Sequence, residues 1–218
     1  MTGDSEYAVA LAGLGAATLG ECGARSLPTR IRPVWSRAAV VGPAYPVRCT
    51  PGDNLAIHVA AARAAAGSVL VVDVGDVRDR GYWGEVLTTG ALARGIGGLV
   101  IDGGVRDVVA LESLGFAVFA ATVALRGASK DARGSVGLPV EVAGVQVDPG
   151  DWVVGDVDGV VIVPGDRLAE VLAAGQARAA AEETYFDALR AGATTVELLG
   201  LDESLIRDGD LPSSSAGA

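Results

Sequence analysis

The chain has 218 residues, half of them hydrophobic and only 5% aromatic, with a formal net charge of −10. That length suits one large domain with a sizeable core of small and β-branched side chains. The acidic balance argues against a nucleic-acid surface, and no apolar stretch reaches the ~20 residues that span a bilayer. A local positive site for a small acidic ligand stays open. The N-terminus lacks the basic region of a secretory leader, and Cys22 and Cys49 have no metal-ligand spacing. The expectation is a cytoplasmic protein with two free thiols.

In chain order, residues 1–37 read as a helical entry segment. The glycine pattern of Leu11–Gly20 follows no apolar strand, so it suggests a small-residue helix packed closely on a neighbour, not a nucleotide loop. Ala38–Cys49 reads as a strand broken by Pro43 and Pro46, hence an edge or a bend. Thr50–Gly67 is a turn and then a helix, capped by Asp53 or Asn54 and closed by Gly67. Ser68–Val74 is a continuous apolar run and so a buried strand. After a polar loop, a helix runs from about Glu85 to Arg94. Gly97–Gly104 is a second buried strand and turn, a short helix follows, and Phe116–Val123 is a third strand. Strand, helix, strand, helix, strand is the signature of right-handed parallel crossovers. From Leu138 to Pro164 the segments shorten between glycine turns, which indicates an antiparallel β layer. A long Ala-rich helix occupies about 166–191, and residues 204–218 read as a disordered tail. The α/β body is therefore placed at 38–203.

Gly84-Glu85 sits where a loop becomes a helix. The first amides of that helix, at Glu85, Val86 and Leu87, lack intrahelical acceptors and face the positive end of its dipole. Arg106-Asp107 follows the carboxyl end of a buried strand, the end at which parallel sheets carry their chemistry. One helix and one strand separate the two stretches, so adjacent parallel strands would bring them to one rim. Two carboxylates suit a hard, oxygen-seeking cation such as Mg²⁺, and a guanidinium suits a carboxylate. Together they could polarise a 2-oxo acid and stabilise its enolate. The plainer alternative is an ordinary loop ion pair between the arginine and one of the acids.

These residues resemble those of the RraA-like family, which includes the metal-dependent 4-hydroxy-4-methyl-2-oxoglutarate and 4-carboxy-4-hydroxy-2-oxoadipate aldolases and regulators of an endoribonuclease. The resemblance rests on an acid, twenty intervening residues, and Arg-Asp, here Glu85, Val86 to Val105, and Arg106-Asp107. It extends through PGDNLAIH, GFAVFA and VDPGDWVVGDVDGVVIVP. It implies a swivelling β/β/α fold with parallel β-α-β crossovers, an antiparallel layer and a C-terminal helix. Trimers or paired trimers are implied, with the cleft between subunits. By position, Asp107 would ligate Mg²⁺ or Mn²⁺, Glu85 would hold metal-bound water, and Arg106 would bind substrate and stabilise an enolate. Amides at Gly84, Val86 and Leu87 would grip the pyruvyl carboxylate. A neighbouring subunit's Glu182 or Glu183 would add a carboxylate. The implied reaction is cleavage of a 4-hydroxy-2-oxo diacid to pyruvate and a 2-oxo acid, with oxaloacetate decarboxylation as a side activity; the alternative is a protein-binding regulator. Two departures from the family are Glu85, where aldolases often carry Asp, and Ala121, where the family often carries Arg; Arg126 is a substitute for the latter.

His58 is the single histidine and Lys130 the single lysine. His58 reads as a helix residue bonded to a loop carbonyl. Lys130 reads as a loop cation that attracts an anion, since a polar loop does not supply the dry pocket a Schiff-base lysine needs. Asp73, Asp76 and Asp79 read as a solvated run and Asp102 as a turn cap, with metal ligation the lesser alternative for each. Trp83 is placed as a wall of the site and Trp152 as packing in the β layer.

Overall fold

The computed structural model describes residues 2–207, so positions 208–218 of the expected tail lie outside the described residues. By its internal contacts the chain falls into two units, 1–177 and 178–218. In the first, α1 (Thr2–Glu21) precedes β1 (Arg25–Ser26), β2 (Arg32–Pro33) and β3 (Val40–Arg48). Then come α2 (Leu55–Arg63), β4 (Val69–Asp73), β5 (Gly81–Trp83), α3 (Glu85–Ala93), β6 (Gly98–Val105), α4 (Val108–Ser113) and β7 (Ala117–Val123). The short strands β8 (Ser135–Val136), β9 (Val140–Val142) and β10 (Val145–Val147) lead to β11 (Trp152–Asp156), β12 (Gly159–Val163) and the start of α5 (Leu168–Arg190).

The main sheet runs β1-β12-β11-β3-β4-β6-β7-β2. The steps β3-β4-β6-β7 are parallel, as the crossover pattern requires, and the flanking steps are antiparallel. The sheet must curl. Its end strands β1 and β2 are separated by only residues 27–31, a reach of at most about 20 Å. Seven flat strand spacings would need about 34 Å. Arg32 accordingly donates to the Asp158 carbonyl in the β11–β12 turn at 2.8 Å.

Strand parity sorts the core into layers. Val69 and Val71 of β4, Val100 of β6, Phe119 of β7, Val153 of β11 and Ile162 of β12 fill the inside of the curl. Their alternates Leu70, Val72, Leu99, Ile101 and Val118 face α2, α3 and α4. On the antiparallel side, Trp152, Val154, Val161 and Val163 take α1 through Leu11 and Leu19. Trp152 is thus packing, as expected, with its ring 6.2 Å from that of Tyr7. The small-residue reading of α1 also holds, with a non-helical Gly15 inside the helix at φ 77°.

One strand expectation is overturned. The proline-broken segment is neither an edge nor a bend but the central β3, paired to β11 on one side and to β4 on the other. Its prolines cost no ladder bond. Ala44 N–H donates to the Asp151 carbonyl, so Pro43 opposite Trp152 falls at a non-hydrogen-bonded position. The Pro46 carbonyl accepts from Gly137 N–H, which turns that residue's missing donor away from β4. A smaller difference is the end of α2, which closes at Ala64 and not at Gly67.

The second unit holds the rest of α5 and α6 (Thr195–Leu199), which a Thr194–Glu197 capping box starts and a left-handed Gly200 ends. None of its described residues is buried. No described helix is long and apolar enough to cross a membrane.

Candidate active-site cleft

The two stretches separated by helix and strand do meet. β5 pairs with β6 in parallel, Trp83 opposite Val105, and the Arg106 N–H donates to the Trp83 carbonyl at 2.9 Å. Both chains therefore leave the sheet side by side, one into α3 and the other into α4. Asp107 has the left-handed conformation, φ 59° and ψ 36°, which aspartate tolerates better than most residues. It stands at the N-cap of α4, yet its carboxylate serves α3: Oδ2 accepts from Glu85 N–H at 3.0 Å. The Arg106 Nε lies 3.7 Å from the same oxygen. Nothing among the described residues bonds Asp107 Oδ1 or the Glu85 carboxylate, and Val86 and Leu87, in the first turn of α3, line the cleft.

Close packing fixes this arrangement. A methyl group on Gly84 would stand 2.4 Å from Asp107 Oδ2 and 3.1 Å from Arg106 Cγ. Gly84 has φ −168°, so any residue could adopt its backbone; the constraint is space alone. Gly84→Ala is therefore expected to leave stability within about 1 kcal/mol, because the flexible carboxylate can swing aside. The displaced groups should weaken capture of a small carboxylate ligand at the cleft about 10–100-fold. Melting curves and ligand titrations on one preparation check both halves of that expectation.

The cleft is about 240 Å³ and includes Asn54, His58, Trp83, Arg106, Asp107 and Lys130 in its walls. Trp83 is a wall, as read from the sequence; it stacks on Phe116 with 5.6 Å between ring centroids and donates to Thr88 Oγ1 at 2.6 Å. Lys130 is at the cleft as a loop cation, its Nζ 3.3 Å from the Ala128 carbonyl. Lys130 lines the cleft, and Arg126 is not among its lining residues.

The loop carrying Lys130 is tied down by Asp53. The Asp53 carboxylate accepts from the N–H groups of Leu55, Asp131 and Ala132 and from the Ser129 hydroxyl. Burial pushes its pKa up, but these four donors outweigh it and bring the value down to about 2. A depressed carboxyl stabilises the fold above its unfolded pKa, here about 4, and loses that contribution as pH falls towards 2. The contribution amounts to about 2 kcal/mol. Urea unfolding at pH 7, 5 and 3 should show a steeper acid loss for the wild type than for Asp53→Asn.

Several sequence readings change here. His58 is in a helix, but no loop carbonyl meets its ring, and its buried Nε2 has no hydrogen-bond partner. Burial first, and then the Lys130 charge, lower its pKa, so the ring is neutral at pH 7. Asp102 does not cap a turn. It lies within β6, 1% exposed, held by Arg30 at 2.8 Å and Arg78 at 3.0 Å. Asp73 is buried beside Arg48, while Asp76 and Asp79 are exposed. Glu182, on the part of α5 in the second unit, pairs with Arg178 at 2.8 Å; Glu183 is exposed. Asn54 was read only as a cap, and nothing in the sequence marked it as a cleft residue.

The described residues contain no group of three or more His, Cys, Asp or Glu side chains that could hold a metal ion. Both cysteines are free, and burial pushes the Cys49 thiol up to about 12. The hard donors are Asp107, which lines the cleft, and the adjacent Glu85, whose N–H bonds Asp107. That set does not fit zinc, which takes three or four protein ligands. It does fit Mg²⁺, which keeps most of its waters and accepts one or two carboxylates.

Residues 12–162 match the family described as RraA-like, Aldolase/RraA. The chain belongs to the RraA-like family. A relative from Halalkalibacterium halodurans, named "Putative 4-hydroxy-4-methyl-2-oxoglutarate aldolase", is 34% identical over 161 residues, covering 74% of this chain and 77% of the relative. Streptomyces coelicolor RraAS2, titled an unusual member of the RNase ES inhibitor RraA family, superposes with TM-score 0.73 at 26% identity, over 84% of this chain and 96% of that one. The RNA-processing inhibitor RraA of Thermus gives TM-score 0.60 at 29% identity, over 65% and 85%. The family thus joins an aldolase name and an inhibitor name on one fold.

Proposed function

We propose that this RraA-like protein is a divalent-metal-dependent lyase that cleaves a 4-hydroxy-2-oxo diacid to pyruvate and a second 2-oxo acid. The observation that carries the reading is the convergence of Arg106, Asp107 and the N-terminal turn of α3, whose first residue Glu85 bonds Asp107 through its N–H, on one cleft. Val86 and Leu87 N–H groups take the pyruvyl carboxylate at the positive end of the helix. Arg106 reaches the 2-oxo oxygen and carboxylate, and its charge opposes the negative charge that builds there. The substrate hydroxyl loses its proton, the C3–C4 bond breaks, and its electron pair passes into the 2-oxo carbonyl as an enolate, which C3 protonation returns to pyruvate. Asp107 Oδ1 and the Glu85 carboxylate would hold Mg²⁺ or Mn²⁺. When bound, the ion supplies Lewis-acid stabilisation of the same oxygen. Oxaloacetate would lose carbon dioxide through the same enolate. Val86 is 83%, Val109 78% and Leu125 86% exposed; the first lines the cleft and the others are two residues from Asp107 and Gly127 of its lining, and a homotrimer or hexamer would cover such side chains.

Pyruvate release from 4-hydroxy-4-methyl-2-oxoglutarate and from oxaloacetate, with Mg²⁺ and with EDTA, tests the proposal. Turnover of both that EDTA abolishes is expected; no turnover of either would overturn it. A protein-binding regulator of an endoribonuclease is the second reading, favoured by the net charge of −10 and by the inhibitor names of the two structural neighbours. It expects capture of a basic, disordered ribonuclease segment that weakens with salt and ignores EDTA.

A further inference from the structure

Four buried side-chain polar atoms among the described residues lack a hydrogen-bond partner, and two of them, Asn54 Oδ1 and His58 Nε2, belong to residues of the cleft. Asn54 is 4% exposed. Its amide orientation is fixed, because Nδ2 donates to the Tyr82 carbonyl at 2.8 Å, leaving Oδ1 as a pure acceptor. Asn54 also stands at the N-cap of α2 without using its side chain there; the Ile57 N–H that such a side chain would usually take bonds the Asn54 main-chain carbonyl instead. A buried acceptor that forgoes its usual local donor carries a desolvation cost unless a ligand supplies one.

We propose that Asn54 and His58 form a hydroxyl-reading subsite that selects a hydroxy diacid over the same diacid without the hydroxyl. This rests on the lyase reading above and names its specificity. At neutral pH a simple 2-oxo acid has no O–H or N–H to offer Oδ1, whereas an aldol has its hydroxyl. A hydroxyl donates one hydrogen bond and accepts others, so the same oxygen can donate to Asn54 Oδ1 and accept from His58 Nε2–H in the neutral tautomer that carries its hydrogen on that nitrogen. Residues 54 and 58 are one helical turn apart, with His58 N–H on the Asn54 carbonyl, and so share a face of α2. The strand β5 separates this pole from the pyruvyl pole: Tyr82 anchors Asn54, and the next residue, Trp83, anchors Arg106. Successive carbonyls of a strand point to opposite edges, so the two anchors face opposite ways across the cleft. Lys130, at the same cleft, places a positive charge for the distal carboxylate.

The test uses two ligands that cannot undergo retro-aldol cleavage and differ by one hydroxyl, 2,4-dihydroxyglutarate and 2-hydroxyglutarate. Both are titrated calorimetrically into the full chain with Mg²⁺ present. The wild type is expected to bind the dihydroxy acid at least about 10-fold more tightly. Asn54→Ala is expected to erase that preference and keep 2-hydroxyglutarate within about threefold. Equal binding of the two acids by the wild type, including no binding of either, overturns the subsite. So does an Asn54→Ala protein that loses both ligands together, which would mark a structural role. If Asn54→Ala does not fold, His58→Ala is read by the same criteria. A preserved hydroxyl preference with no pyruvate release from any aldol would sink the lyase reading and leave the subsite standing.

Discussion

Asp107→Asn is expected to reduce metal-dependent pyruvate release at least about 10²-fold while leaving the fold intact. The substitution separates two jobs that the carboxylate performs. As a cap, Asp107 Oδ2 accepts from Glu85 N–H, and an amide oxygen can do the same. Asparagine also tolerates the left-handed backbone found at φ 59°. Only the charge disappears, and with it the attraction for a divalent cation and the partner of Arg106. Lactate-dehydrogenase-coupled assays over a range of Mg²⁺ concentrations, with a melting curve alongside, read the result. Excess Mg²⁺ should recover part of the rate if the lost group is a metal ligand, since a weaker ion affinity is offset by mass action. A variant with wild-type turnover would show that Asp107 is a helix cap and no more, and the lyase proposal would then have lost its metal site.

Much of this site was legible because it is built from repeating elements. Glu85 and Arg106 are joined by one helix and one strand, and a parallel crossover returns the chain to the same end of the sheet, so sequence spacing translates into proximity. The layers of β4, β6 and β7 followed from continuous apolar runs. What escaped was decided by contacts between distant segments. β5 is only Gly81–Trp83, too short to show a period, yet its carbonyls anchor both Asn54 and Arg106. The prolines of β3 misled because the sequence shows that an N–H is missing but not that the position never needed one. Asn54 looked like any helix cap; only the placement of Tyr82 shows that its oxygen is left open.

Asp102 shows the same limit at the scaffold. Before Gly103-Gly104 it has the composition of a turn. The strand nevertheless continues to Val105, and a methyl group on Gly104 would meet the Arg80 carbonyl at 2.5 Å, so glycine serves close approach there. Asp102 is thereby carried to the end of the curl and is enclosed by Arg30 from the β1–β2 connection and Arg78 from the β4–β5 loop. Asp102→Ala should lower the unfolding free energy by about 3 kcal/mol, since removing one partner from a buried ion pair strands the others. The low end of the usual range applies because both arginines are more than 40% exposed and can rehydrate. For a chain of this size the melting temperature should fall by roughly 6–12 °C. Burial alone would raise the Asp102 pKa, but the hydrogen bonds and charges of Arg30 and Arg78 outweigh it and lower the value. A lowered carboxyl stabilises the fold fully above its unfolded pKa, about 4, and loses that contribution as pH falls through the folded value. The variant should therefore differ most from wild type at pH 5 and above, with the two converging in stronger acid. Because among the described residues the Asp102 carboxylate bonds only Arg30 and Arg78, the folded variant should keep kcat/KM within about threefold of wild type if the lyase proposal holds. A large loss of turnover at full folding would mean that the closed end of the curl and the cleft at Arg106 are coupled through β6.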